Sequence, residues 1–262
     1  MRQAVAIARR EILAAFVSPI AYFVIVGFFL LGGFFFFSLL QQFNFYLIRM
    51  AGQMMGMAGM ADNKPSLNDF VIGNLLTTMV VVLVFLVPLL TMRIIAEDKR
   101  SGTFELLVTS PLAVRDIVIG KFLGVTAVFF VMLLALGVFP ALLYLFSSPG
   151  PELGPILSGF LGIALCGLAF ISLGMAVACF TENQVVAAMS AMVLLLILWV
   201  INAPAANVGG SIEVVLNHLS PIMHLQDFVR GIVTLKGVVY FFSLILFGLF
   251  LSERSLESYR WR

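Results

Sequence analysis

The chain alternates between long charge-free apolar runs and short polar connections. Nothing is charged between Glu11 and Arg49, or between Asp69 and Arg93. The same holds from Lys121 to Glu152, from Glu152 to Glu182, from Glu182 to Glu213 and from Lys236 to Glu253. A membrane-spanning helix needs roughly 17–25 mostly apolar residues, so each run can hold one. The pattern predicts six spans, near 20–40, 70–92, 118–146, 155–180, 185–202 and 235–252. The last is short, and Lys236 is expected to extend its ammonium group back to the interface.

The connections carry their own patterns. Residues 1–19 place Val5, Ile7, Ile12, Leu13 and Phe16 beside Arg2, Arg9 and Arg10, as in a helix lying on a membrane surface with its cations at the headgroups. Ser18-Pro19 breaks its direction, because proline disfavours helix at the residue before it. Residues 147–154 read as a plain turn, and Thr181-Glu182-Asn183-Gln184 as a tight turn without a cation. Residues 203–234 contain Pro204, Gly209-Gly210 and Pro221, yet keep apolar residues at helical spacing. Val214, Val215, Leu216 and Leu219 form one set; Leu225, Phe228, Val229 and Ile232 form another. They predict two short amphipathic helices dipping into the outer leaflet. Residues 49–68 read as an outer loop with five methionines between Met50 and Met60. Thioethers can hold copper(I), but no Cys or His lies nearby. A loop that packs on a partner or on headgroups needs no metal.

Composition agrees with the runs. The chain is 62% hydrophobic and 11% charged, against about 25% charged in a typical soluble domain. It reads as an all-α integral membrane protein forming one transmembrane domain over residues 1–262, with no soluble domain and no internal repeat. An even number of spans puts both termini on one side. Arg2, Arg9 and Arg10, then Arg93, Lys99, Arg100, Arg115 and Lys121, and finally Arg254, Arg260 and Arg262 give that side eleven cations. The other side has Arg49, Lys64, Arg230 and Lys236. Lysine and arginine collect on the cytoplasmic side, so the eleven-cation face is expected there. The first apolar run starts late, is long, and lacks a small-residue cleavage site, so no cleavable signal peptide is expected. The net charge of +2 gives no sign of a nucleic-acid partner. Cys166 and Cys179 are thirteen residues apart, roughly 20 Å along one helix. That is too far for a bridge, and both read as small packing residues.

Motifs that would carry chemistry are missing. The sequence has no glycine-rich loop ending in Gly-Lys-Ser/Thr, no His-Glu-x-x-His and no Gly-x-Ser-x-Gly elbow. The interiors of the six runs hold no acid or base, where ion-coupled carriers keep their relays. Energy for uphill work must therefore enter from another subunit. His218 and His224 are six residues apart with Pro221 between them, a spacing that suits neither one helix face nor a zinc motif. Asp227 stands three residues after His224, where it could cap or pair with it. No metal or other cofactor is expected in this chain.

The connection of residues 93–117 shows where energy could enter. It contains Glu97-Asp98-Lys99-Arg100-Ser101-Gly102-Thr103-Phe104-Glu105-Leu106-Leu107-Val108-Thr109-Ser110-Pro111. Gly102 can end one helix in the left-handed conformation, and Thr103 can cap the next. Glu105 suits the first turn, and Pro111 closes it. The result is a short transverse helix with Phe104, Leu106, Leu107 and Val108 free to fill a groove. The strict capping box fails because position 106 is leucine. A solvated loop accounts for these residues equally well on physics alone.

The run Glu97…Ser-Gly-Thr-Phe-Glu-Leu-Leu…Ser-Pro, followed by Gly120-Lys121, resembles the ABC-2 class of ABC-transporter permeases. The likeness extends to Arg10-Glu11 with Ser18-Pro19-Ile20-Ala21-Tyr22, to Leu219–His224 with Phe228-Val229-Arg230-Gly231, and to Leu256–Trp261. Those end segments look most like the gliding-motility-associated permeases, with the nitrous-oxide-reductase maturation permease a more distant relative.

The resemblance implies a six-helix half-transporter of the bacterial inner membrane. It would pair with a second copy or a paralogue, and accessory membrane or periplasmic subunits could join it. Cytoplasmic ATPases would hold ATP and Mg. The helix after Gly102 would be the coupling helix, carried by Glu97, Gly102, Thr103, Phe104, Glu105, Leu106 and Leu107. Glu182 and Gln184 would stand at a second ATPase contact. The two short helices before the last span would cap the transport path. The methionine-rich loop matches no part of the family pattern. An intramembrane enzyme would need paired catalytic groups that the sequence lacks. A mechanical transducer, docked to the same ATPase but passing force to a periplasmic partner, has the same sequence signature as an exporter.

Overall fold

The computed structural model describes residues 2–54, 66–100, 113–147, 150–204 and 210–260. Among them every regular element is a helix. In chain order these are α1 (Arg2–Val17), α2 (Pro19–Met54), a π-helix (Asn68–Gly73) that leads into α3 (Asn74–Arg100), α4 (Val114–Leu136) and α5 (Val138–Phe146). Then follow α6 (Leu153–Cys179), α7 (Gln184–Val200), α8 (Gly210–Leu219), α9 (Pro221–Val229) and α10 (Leu235–Arg260). Among the described residues, five segments are long and apolar enough to cross a membrane: Pro19–Met50, Asn68–Arg93, Val114–Phe146, Leu153–Cys179 and Leu235–Ser258. At the expected fifth span the structure has α7, an apolar helix of 17 residues. That is about 25 Å long, just short of a hydrocarbon core of about 30 Å.

Helix ends follow breakers more than charges. The Ser18-Pro19 break separates α1 from α2 as expected. No proline stands between Arg49 and Met54, and Gly52 alone does not stop the helix, so α2 runs through the first residues of the expected outer loop. Its 36 residues extend about 54 Å. Residues 55–65, with the later methionines, lie outside the described residues. The run expected at 118–146 is divided at Gly137. Pro140 has no N–H for the Leu136 carbonyl and its ring crowds that carbonyl, so the helix kinks one turn before it. The Gly137 N–H still donates to the Leu133 and Leu134 carbonyls.

The core is organised around α6, the most buried of the spans. It packs on α3, α4, α7, α9 and α10. Small residues let the helices approach closely, which matters in a bilayer because lipid is as apolar as leucine and packing must supply the attraction. A Cβ at Gly159 would fall 2.5 Å from a Leu76 methyl, and one at Gly174 would fall 2.7 Å from Thr91 Oγ1. From α10, Gly248 meets Ser172 of α6 in the same way, and Ser172 Oγ donates to the Leu244 carbonyl at 3.3 Å.

The two short helices expected before the last span both form, but they differ. In α9, Pro221, Leu225 and Phe228 are buried, and a Cβ at Gly162 would fall 2.6 Å from Phe228 Cβ. Ser158 Oγ donates to the Phe228 carbonyl at 2.8 Å. This helix is part of the core. No residue of α8 is buried, and Ile212, Val214 and Val215 are exposed.

Candidate functional site

One end of the bundle gathers the arginines and lysines of α1, α3 and α4 and the arginines of α10. The connection of residues 101–112 leaves from it, between the last turn of α3 and the first turn of α4. We call this the cation-rich end. Glu97 lies in the last turns of α3. Gly102, Thr103, Phe104, Glu105, Leu106 and Leu107 lie outside the described residues. What the structure does define is the frame on which that segment is mounted.

The frame begins with α1 seated on α4. The seat is made by Gly120 and Gly124, four residues apart and hence on one face of α4. A Cβ at Gly120 would fall 2.7 Å from Ile7 Cβ and 2.9 Å from the Ala4 carbonyl oxygen. One at Gly124 would fall 2.5 Å from Glu11 Cβ. Ala4 and Ala8 are buried, while Val5 and Leu13 are exposed. So α1 docks through Ala4, Ile7, Ala8 and Glu11, while Val5 and Leu13 face outward. Between the two glycines stands Lys121, whose side chain is almost fully buried and donates from Nζ to Glu11 Oε1 at 3.0 Å. A charge withdrawn from water needs such a partner to be tolerated.

Two further links extend the frame. Arg115, in the first turn of α4, donates from Nε to Glu253 Oε1 of α10 at 2.5 Å. Arg93 of α3 donates to Ser18 Oγ at the break between α1 and α2. On α10 itself, Arg254 donates to Glu257 at 2.8 Å and lies 5.3 Å from the centre of the Phe250 ring. The helices on both sides of residues 101–112 are thereby tied to α1, α2 and α10.

Glu182 and Gln184 belong to the turn that joins α6 to α7. Its local architecture rests on Asn183, whose Oδ1 accepts from the Val185 N–H at 2.9 Å and the Val186 N–H at 3.5 Å, capping α7. Thr181 Oγ1 accepts from the Asn183 N–H at 3.2 Å. Glu182 is exposed at the apex and Gln184 is half-buried. Sequence reading missed Asn183 as a cap, and missed Glu11, Lys121, Arg115 and Glu253 as a frame. The available signal was the Gly120-x-x-x-Gly124 spacing around a lysine.

At the far end, His224 takes a structural role. Its ring stacks on Tyr240 with centroids 4.2 Å apart, and Nε2 donates to the His218 carbonyl at 3.2 Å. Tyr240 OH donates to the Leu219 carbonyl at 2.6 Å. The expected pairing of Asp227 with His224 is not made; Asp227 accepts from Thr234 Oγ1 at 3.4 Å. Cys166 and Cys179 are buried and unbridged. The described residues contain no cluster of three or more His, Cys, Asp or Glu able to hold a metal.

A bundle of long apolar helices has the build of a multi-pass membrane protein. The family model of the ABC-2 family transporter proteins matches residues 5–246. The chain belongs to this family. A comparison with curated proteins finds no match. As an ABC-2 family member it is a multi-pass permease subunit of an ABC transporter. The family is a membrane transport component and not itself catalytic. Its members work with an ABC ATPase and generally as dimers.

Proposed function

We propose that the cation-rich end faces the cytoplasm of a bacterial inner membrane and that the helix of residues 103–110 seats in a cleft of the partner ATPase. Glu97, Gly102, Thr103, Phe104, Glu105, Leu106 and Leu107 form the main contact, and Glu182 and Gln184 a second one. ATP and Mg are held by the partner. The sixth crossing is α7 with its following turn, so both ends of the chain face the ATPase. The end motifs, Arg10-Glu11 with Ser18–Tyr22 and Leu256–Trp261, support a kinship with the gliding-motility-associated permeases.

The observation that supports this reading is the frame. A docked segment does mechanical work only if the helices it joins do not yield separately. Residues 101–112 leave from α3 and enter α4, and both helices are tied to neighbours by charged hydrogen bonds within or near their terminal turns. Closure of two ATPases would then rock the bundle as a unit, in the manner of a rigid-body transition.

The test is substitution within the segment. Leu106→Asp removes an apolar contact of roughly 1.5–3 kcal/mol and places a charge where it has no partner. About tenfold weaker binding follows from each 1.4 kcal/mol. Glu105→Arg reverses the only acid of residues 99–115. Both variants should insert normally, lose the ATPase on purification, and lose its hydrolysis in the complex. If both keep the ATPase and its turnover at the parent level, residues 103–110 are a solvated loop and the reading fails.

A further inference from the structure

His218 and His224 are the two histidines of the chain, and their spacing suits no single helix face. The structure brings them together through a break between them. Helix α8 ends at Leu219, Ser220 is extended, and α9 starts at Pro221. Across this joint the two rings meet edge to face with centroids 6.2 Å apart. A metal ion about 2.1 Å from one nitrogen of each ring holds two imidazole centres roughly 5–6 Å apart. A small turn of one side chain reaches that range, and His218 is exposed and has room to turn.

His224 is held the way a ligand histidine is held. Its ring lies on Tyr240, and its Nε2 donates to the His218 carbonyl. A neutral imidazole that donates from Nε2 keeps a bare lone pair on Nδ1. Histidines that bind metals are prepared in this manner: the second nitrogen donates to a carbonyl or carboxylate, which fixes the tautomer and the ring orientation. A further oxygen donor precedes His218 in the chain. Asn217 Oδ1 is buried and has no hydrogen-bond partner among the described residues. Buried acceptors are rarely left in that state, and an ion or an ordered water accounts for them. The described residues bring no third His, Cys, Asp or Glu to the pair, so water fills the remaining positions around an ion.

We propose that His218 and His224 form a site for a divalent transition-metal ion at the far end of the bundle, with Asn217 Oδ1 and water completing its shell. Imidazole donors suit Zn2+, Cu2+ and Ni2+, whereas Mg2+ and Ca2+ prefer oxygen. Two imidazoles make an exchangeable site of micromolar strength, in keeping with a regulatory ion. Its effect follows from the helices it joins. No residue of α8 is buried, while α9 belongs to the core. An ion held by both histidines fastens α8 to α9. The site stands apart from residues 103–110, so it holds whether or not that segment meets an ATPase.

The full chain, purified with a tag that contains no histidine, tests it with Zn2+ and Cu2+ as probes. Each should bind at a single site per chain, and excess Mg2+ or Ca2+ should not displace it. The electron paramagnetic resonance spectrum of bound Cu2+ should show two nitrogen ligands in the parent and one in His218→Ala or His224→Phe. The phenylalanine keeps a ring on Tyr240, so that variant should melt like the parent in the absence of metal. Each single variant should bind about tenfold more weakly or worse, and the double variant should not bind. Added Zn2+ should slow amide hydrogen exchange across residues 211–218 in the parent and not in the variants. If the double variant binds as well as the parent, or keeps two nitrogen ligands, the metal is an adventitious ion only and the site is refuted. Binding that leaves exchange across α8 unchanged would refute the fastening.

Discussion

The two ends of the bundle are fastened by different chemistry. The cation-rich end uses side chains against side chains: Lys121 on Glu11, Arg115 on Glu253, Arg93 on Ser18. The far end uses side chains against the main chain. Ser158, Tyr240, His224 and Asn68 each reach a backbone carbonyl, those of Phe228, Leu219, His218 and Glu152. A main-chain acceptor is available whatever residue supplies it, so the far end needs only the right donor. The charged end needs both partners, and one substitution removes a link between two helices. That arrangement suits an end where separate helices must move together, and a cap that must hold its shape.

Overfilling the α1 seat should give the largest effect. Gly124→Leu puts a side chain where Glu11 Cβ already stands 2.5 Å from a Cβ position. Overpacking costs about 1–3 kcal/mol even when neighbours yield, and here α1 must leave its seat. Thermal unfolding in detergent should start well below the parent, and the complex should lose activity. If Gly124→Leu melts and works like the parent, α1 is not held on α4.

The buried pair should come next, with an asymmetry. Glu11→Gln takes the counter-charge from a lysine that is 2% exposed, a loss of about 3 kcal/mol for a buried pair. Lys121→Met leaves Glu11, which is partly exposed and can recruit water, so the loss should be smaller. The double variant Glu11→Gln with Lys121→Met should recover stability relative to Glu11→Gln alone. Equal losses in both single variants, without recovery in the double, would show that the charges act independently.

At the far end, Ser158→Ala removes one of several donors to main-chain carbonyls and should cost only about 1 kcal/mol. The melting temperature should fall slightly and ATPase recovery should not change. Loss of the ATPase from this variant would mean that the two ends are not as separate as their fastenings suggest.

Much of the fold is legible from charge spacing. Five of the six charge-free runs became long apolar helices, and Pro19 and Pro221 marked the breaks they predict. The charge pattern did not mark where helices end. The stretch Arg49–Met54 has no proline, so α2 continues through it and past Gly52, and Pro140 divides α4 from α5 inside an unbroken apolar run. The frame of the candidate site was less legible. Ala4, Ala8, Gly120 and Gly124 are small, and an amphipathic reading of α1 looks for large apolar residues. The partner of Lys121 is 110 residues away, a pairing that no local pattern contains. The coupling roles of Glu97, Gly102 and Thr103 are implied by resemblance alone.

The central claim is that the braced, cation-rich end is the ATPase-facing, cytoplasmic one. Accessibility of single cysteines to an impermeant thiol reagent in intact cells tests it most directly, against the silent background of two buried native thiols. Cysteines replacing Gly56 and Gly150 should react from outside, and cysteines replacing Ser101 and Ser258 should react only after the membrane is opened. External labelling at Ser101 would contradict the account, because residues 103–110 would then face away from any cytoplasmic ATPase.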